Sequence, residues 1–94
     1  PAKTFREYGT RAKKVIQRLR EIESSANLSV LMKIHAANCH PLSGGRAGEF
    51  AVDVSGNWRM IFEIHQEPIP LKDEGGTDTD SVTSVKILEI KDYH

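Results

Sequence analysis

From Thr10 to Ile22, apolar residues recur at steps of three and four: Ala12, Val15, Ile16, Leu19 and Ile22. Lys13, Lys14, Arg18 and Arg20 fill the positions between. That spacing predicts an amphipathic helix with an apolar stripe and a basic back. Ser24-Ser25 mark its end. A second helix is expected to start near Ser25 or Asn27, with Leu28, Leu31, Met32 and His35 at helical spacing. It should stop around Ala37-Asn38, because Pro41 biases His40 away from helical angles. A short connection makes the two helices antiparallel neighbours.

After Ser43-Gly44-Gly45 the period changes to two. Phe50, Val52 and Val54 alternate with Ala51 and Asp53. Trp58, Met60, Phe62 and Ile64 alternate with Arg59, Ile61 and Glu63. Ser55-Gly56-Asn57 between them is turn chemistry, so the two strands form a β-hairpin. A third strand is expected over 82–90, with Val85, Ile87 and Glu89 on one face and Lys86, Leu88 and Ile90 on the other. The expected fold class is α+β: two N-terminal antiparallel helices packed on a C-terminal antiparallel sheet of at least three strands, a two-layer sandwich.

At 94 residues the chain reads as one domain spanning 1–94. Within it, 65–81 is a long loop rich in acids, proline and glycine, either functional or mobile. Apolar residues make up 38% and charged residues 28%, the balance of a folded soluble domain rather than a disordered one. No apolar run is long enough to span a membrane, and no secretory leader is evident. The single cysteine, Cys39, rules out an internal disulfide and makes a reducing, cytoplasmic setting the expectation. The net charge of zero hides an asymmetry. Residues 1–46 carry nine Lys/Arg against three Asp/Glu, and residues 47–94 carry four against ten. A basic first half suits phosphate or an acidic protein, with Lys13 and Lys14 as candidate phosphate contacts; a solvated helix face is the plainer explanation.

His35, Cys39 and His40 sit close together as zinc ligands do, yet no matching pair follows, so no metal is expected. His35 reads as a packed histidine at the core edge. No nucleophile elbow or phosphate-binding glycine loop occurs, and no cofactor is expected. What remains gathers at the ends of the sheet: His40, Arg46, Arg59, Asp92, Tyr93 and His94. If the third strand lies beside the second, Arg59 and the Asp-Tyr-His tail meet across neighbouring strands. A histidine for proton transfer, arginines for a phosphorane and a ring for base stacking would make a metal-free ribonuclease. The alternative is a surface cluster beside a frayed terminus.

The stretches His40-Pro41-Leu42, Gly45-Arg46-Ala47-Gly48, Asn57-Trp58-Arg59-Met60-Ile61-Phe62-Glu63 and Asp92-Tyr93-His94 resemble the HigB-type branch of the RelE/ParE toxin superfamily. The resemblance covers most of residues 10–94. The segment Glu67-Pro68-Ile69-Pro70 with Gly75-Gly76 is similar to an insertion in one sub-branch. The resemblance implies a RelE-like fold and the toxin of a type II toxin–antitoxin pair. It implies a ribosome-dependent mRNA interferase that enters the ribosomal A site. There a ribose 2′-OH attacks the adjacent phosphate of translated mRNA. It further implies a HigA-like helix-turn-helix antitoxin, with operator DNA bound only through the antitoxin complex. Carried over residue by residue, His40 or His94 transfers the proton. Arg59 and Arg46 stabilise the phosphorane, Tyr93 stacks on or positions a base, and Asp92 orients a histidine or the nucleotide.

Three features depart from the family pattern; one is that the short β-strand with which the sub-branch starts is not expected before Tyr8-Gly9 and the first helix. Ser43 stands where many relatives have lysine, and the chain is neutral where ribosome-dependent toxins are basic. The last two point to a second reading, a non-catalytic toxin-fold module that binds antitoxin and represses its operon. A third is a poison of DNA gyrase like the ParE proteins, against which His40 and the Asp-Tyr-His end speak.

Overall fold

The computed structural model describes residues 2–42 and 48–92, with side chains from Arg11 onward. The fold is α+β: one long helix, a short one, then a four-stranded antiparallel sheet. Helix α1 is Ala2–Ser24 and α2 is Leu28–Met32. The strands are β1 (His40–Pro41), β2 (Glu49–Asp53), β3 (Trp58–Ile64) and β4 (Val85–Asp92), in spatial order β1-β2-β3-β4. No helix among the described residues is long and apolar enough to cross a membrane.

One face of the sheet makes the core. Phe50, Val52, Val54, Met60, Phe62 and Ile64 meet Leu28, Leu31, Ala37, Cys39 and Val82, with Val15 and Ile22 of α1 packed against them. The Phe50 and Phe62 rings lie opposite each other on neighbouring strands and stack at 5.9 Å between centroids. Burying each such side chain contributes about 2–3 kcal/mol.

The second helix is much shorter than its periodicity predicts. Asn27 caps α2 by accepting the Val30 N–H, but the helix closes at Met32. A 3₁₀ turn at His35–Ala37 follows, and Asn38 adopts a left-handed conformation at φ 46°. The Ala36 carbonyl accepts a hydrogen bond from Arg18 of α1 rather than serving a continuing helix. This break leaves His35 exposed instead of packed.

Helix α1 is also turned relative to its apolar stripe. Val15 and Ile22 face the core, but Ile16 is 49% exposed and Leu19 39%. Arg18, expected on the basic back, is 3% exposed. Its Nε donates to the Asp53 carbonyl at 2.6 Å and its Nη2 to the Ala36 carbonyl at 3.0 Å, while Nη1 pairs with the Glu21 carboxylate. Arg11, one turn before Val15, lies 4.1 Å from the centroid of the Trp58 ring. Buried carbonyls require donors, and the guanidinium supplies several in fixed directions.

Strand β4 starts at Val85 rather than Val82, which is buried separately after a 3₁₀ turn at Thr79–Ser81. Its alternation is interrupted. Phe62 pairs with Ile87 but Ile61 pairs with Glu89, so Leu88 is an extra residue in a β-bulge. Ile87 and Ile90 therefore share the core-side face, and Lys86 and Glu89 the other. The loop at 65–81 is tied down. Gln66 Oε1 accepts the Thr83 and Ser84 N–H groups, Ser29 and Thr79 share a 2.6 Å hydroxyl contact, and Ile69 packs on the core.

Replacing Arg18 with Met should lower unfolding stability by about 3 kcal/mol, because Glu21 and two carbonyls lose their donor. Lys13→Ala on the exposed side should change it by about 0.5 kcal/mol or less. Urea unfolding midpoints check both.

Candidate functional site on the far face of the sheet

The antiparallel register sets which side chains share the face turned away from the core. His40, Ala51, Ile61 and Glu89 form one row across the four strands. Asp53, Arg59 and Lys91 form the row beside it. His40 and Arg59 are thus on the same face, two strands and one two-residue step apart, about 12 Å between backbones.

A polar chain links them. The Arg59 Nε lies 2.8 Å from Asp53 Oδ1, an ion pair whose side chains are 25% and 32% exposed. Asp53 Oδ2 accepts the Asn38 side-chain amide at 3.3 Å. The Asn38 carbonyl lies 2.7 Å from His40 Nδ1. A carbonyl only accepts, so Nδ1 carries the proton and donates, and a neutral His40 presents Nε2 as a lone-pair acceptor. Nε2 has no partner among the described residues. Arg59 Nη1 also donates to the Gly56 and Trp58 carbonyls, which anchor the guanidinium at the hairpin turn.

Asp53 and Asn38 do not stand out in the sequence. Asn38 had one signal: a left-handed residue ahead of a strand favours asparagine. Its conformation turns its carbonyl to the His40 ring. Asp53 had none, because its role depends on pairing with Arg59 across the hairpin.

The other sequence-derived candidates fall in three groups. Asp92 pairs with Trp58 and lies on the core-side face, so the sheet separates it from Arg59, whose cross-strand neighbour is Lys91. Lys13 and Lys14 are on α1, which packs on that same core side. Arg46, Tyr93 and His94 lie outside the described residues.

No family model matches the chain, and comparisons with curated proteins and with solved structures found no match. The site therefore stands on its geometry and on the motifs in the sequence.

Cys39, next to His40, is buried against the core, and desolvation pushes its thiol up to about 12. Burial penalises the thiolate, which is the reactive form. Among the described residues, no three His, Cys, Asp or Glu side chains converge as a metal ion's ligands would. Cys39 should resist Ellman's reagent at pH 8 in the folded protein and react at once in urea. The same shift makes stability fall as pH rises above about 9, where the unfolded thiol ionises and the folded one does not. Urea titrations between pH 8 and 10.5 on wild type and Cys39→Ala isolate that component.

Proposed function

We propose that this chain is a RelE-like two-layer toxin domain of the HigB type, a metal-free endoribonuclease that cuts translated mRNA on the ribosome. The observation that carries the reading is the placement of His40 and Arg59 on one face, with His40 Nε2 unpartnered among the described residues. Both belong to the motifs whose resemblance to that family is specific, the His-Pro-Leu segment and the Asn-Trp-Arg strand. The order of a long helix followed by an antiparallel sheet agrees with it.

In this reaction His40 Nε2 takes the proton of a ribose 2′-OH. The resulting oxyanion attacks the adjacent phosphorus, and the bond to the 5′-oxygen breaks. A 2′,3′-cyclic phosphate remains on one fragment. The other leaves with a 5′-OH, its proton supplied by an imidazolium for which His94 is the candidate. Arg59, with Arg46, neutralises charge on the phosphorane, an electrostatic contribution that works best when donors are held in place beforehand. Here Asp53 and the two turn carbonyls hold the guanidinium. Tyr93 stacks on or positions a base, and Asp92, from the core-side face of the sheet, orients a histidine or the nucleotide. Lys13 and Lys14 contact rRNA phosphates. The partners are the ribosomal A site with its mRNA and a HigA-like antitoxin, through which the complex reaches operator DNA. The setting is the cytoplasm.

A second reading has an observation of its own. Arg59 is already paired with Asp53, and the net charge is zero, which is weak support for rRNA affinity. It describes a toxin-fold module that binds antitoxin and represses its operon without cutting RNA.

Inducible expression followed by primer extension on translated and untranslated copies of one mRNA tests these readings. Cuts are expected only in the translated copy. His40→Ala and Arg59→Ala should each reduce cutting by about 100-fold or more. Both variants should stay folded, since a part-exposed ion pair contributes about 1 kcal/mol at most. Undiminished cutting in both variants sinks this site. Growth arrest with DNA-damage signalling and no cuts favours a gyrase target, and antitoxin binding without arrest favours the interaction module.

A further inference from the structure

The other end of β3 carries a second feature, independent of RNA cleavage. Between the Glu63–Ile64 end of the strand and the 65–81 segment runs a groove of about 940 Å³. Ile64, Pro68, Ile69 and Leu71 line it, with Glu63 and Glu67 among them. Gly48, at φ 83°, forms part of the wall; a Cβ there would sit 3.1 Å from Ile69 Cδ1. That close approach lets Ile69 reach the core and leaves the groove beside it.

Leu71 is 67% exposed, and the backbone around it is hydrogen-bonded. It forms an antiparallel bridge with Thr77. The Lys72 N–H donates to the Gly76 carbonyl, the Gly75 N–H to Lys72, and the Asp78 N–H to Pro70. Gln66 fastens the near end through the Thr83 and Ser84 N–H groups, and its amide donates to the Ser81 carbonyl. A hairpin-like strap therefore holds a leucine in solvent at the edge of an apolar groove. Ordering a segment costs conformational entropy, and hiding the leucine would be the ordinary use of that order.

The charge around the groove selects the occupant. Residues 65–80 carry Glu67, Asp73, Glu74, Asp78 and Asp80 against a single Lys72, while the rest of the chain is basic on balance. Glu63 adds a carboxylate at the groove itself. Nucleic acid and anionic surfaces are repelled there. An apolar slot with an acidic surround fits a cationic chain bearing an apolar anchor.

We propose that this groove docks an extended lysine- or arginine-rich segment of a partner protein. One apolar side chain of that segment seats among Pro68, Ile69 and Leu71, and its cations face Glu63, Glu67 and the carboxylates of the strap.

The test uses a fluorescein-labelled lysine-rich peptide with one central leucine, and the same peptide with serine in its place. Anisotropy reads affinity, and ¹⁵N-resolved NMR shifts locate the contact. The leucine peptide should bind about tenfold more tightly than the serine peptide, and Leu71→Ser should remove that preference. Glu67→Gln should flatten the salt dependence. Both positions are exposed, so the fold tolerates the changes. Shifts should be confined to Gly48 and residues 63–77. Four results would overturn the proposal. They are no saturable binding, equal affinity for the two peptides, shifts on another face, or sedimentation showing that the chain associates with itself through Leu71.

Discussion

Arg18 ties three parts of the molecule together through one buried side chain. A cation 3% exposed is costly unless its donors are met, and here they are met by the Asp53 and Ala36 carbonyls and the Glu21 carboxylate. Those acceptors sit on the end of β2, on the 3₁₀ turn and on α1 itself. One side chain thus sets how the long helix is rotated, where the second helix stops, and how the end of the hairpin is held. Asp53 carries the constraint onward. Its backbone is fixed by Arg18 from the core side, and its carboxylate engages Arg59 and Asn38 on the far face. The stability of the core and the geometry of the candidate site share that residue.

The strands were legible because alternation is a direct record of facing. Trp58–Ile64 is a strand with the faces its pattern predicts, and the register then places His40 and Arg59 on one face. The helical half was less legible. Apolar periodicity treats every arginine as a solvent residue, yet Arg18 is buried because of acceptors 35 and 18 residues further along the chain. Nothing local signals that pairing. The short second helix has the same origin, since the Ala36 carbonyl is claimed by tertiary structure. In β4 one extra residue at Leu88 reverses the expected faces beyond it. Of the site, the histidine and arginine were readable from residue type and spacing. Asn38 and Asp53 were not, because each acts through a neighbour that only the fold supplies.

The sheet is polar in a second sense. Arg59 and Lys91 stand at one end of β3 and β4, and Glu63 with the acidic strap stands near the other. Each end also holds the opposite sign, Asp53 paired with Arg59 at one and Lys86 across from Glu63 at the other, so the ends differ in excess charge and not in sign alone. Screening at physiological salt, with a Debye length of about 8 Å, lets each end act separately. The zero net charge is therefore the sum of two unlike ends.

Among the described residues, β4 is a free edge of the sheet, eight residues long, with Ile87, Leu88 and Ile90 each about 40% exposed. A straight edge of that composition invites another chain to pair along it, which is the route to fibrous aggregates. The bulge at Leu88 breaks the regular spacing of outward N–H and C=O groups halfway along and strengthens the local twist. Lys86 and Lys91 flank the break, placing a charge on each side of it. The irregularity that spoils the alternation of this strand thus makes its apolar edge a poor template for open-ended stacking.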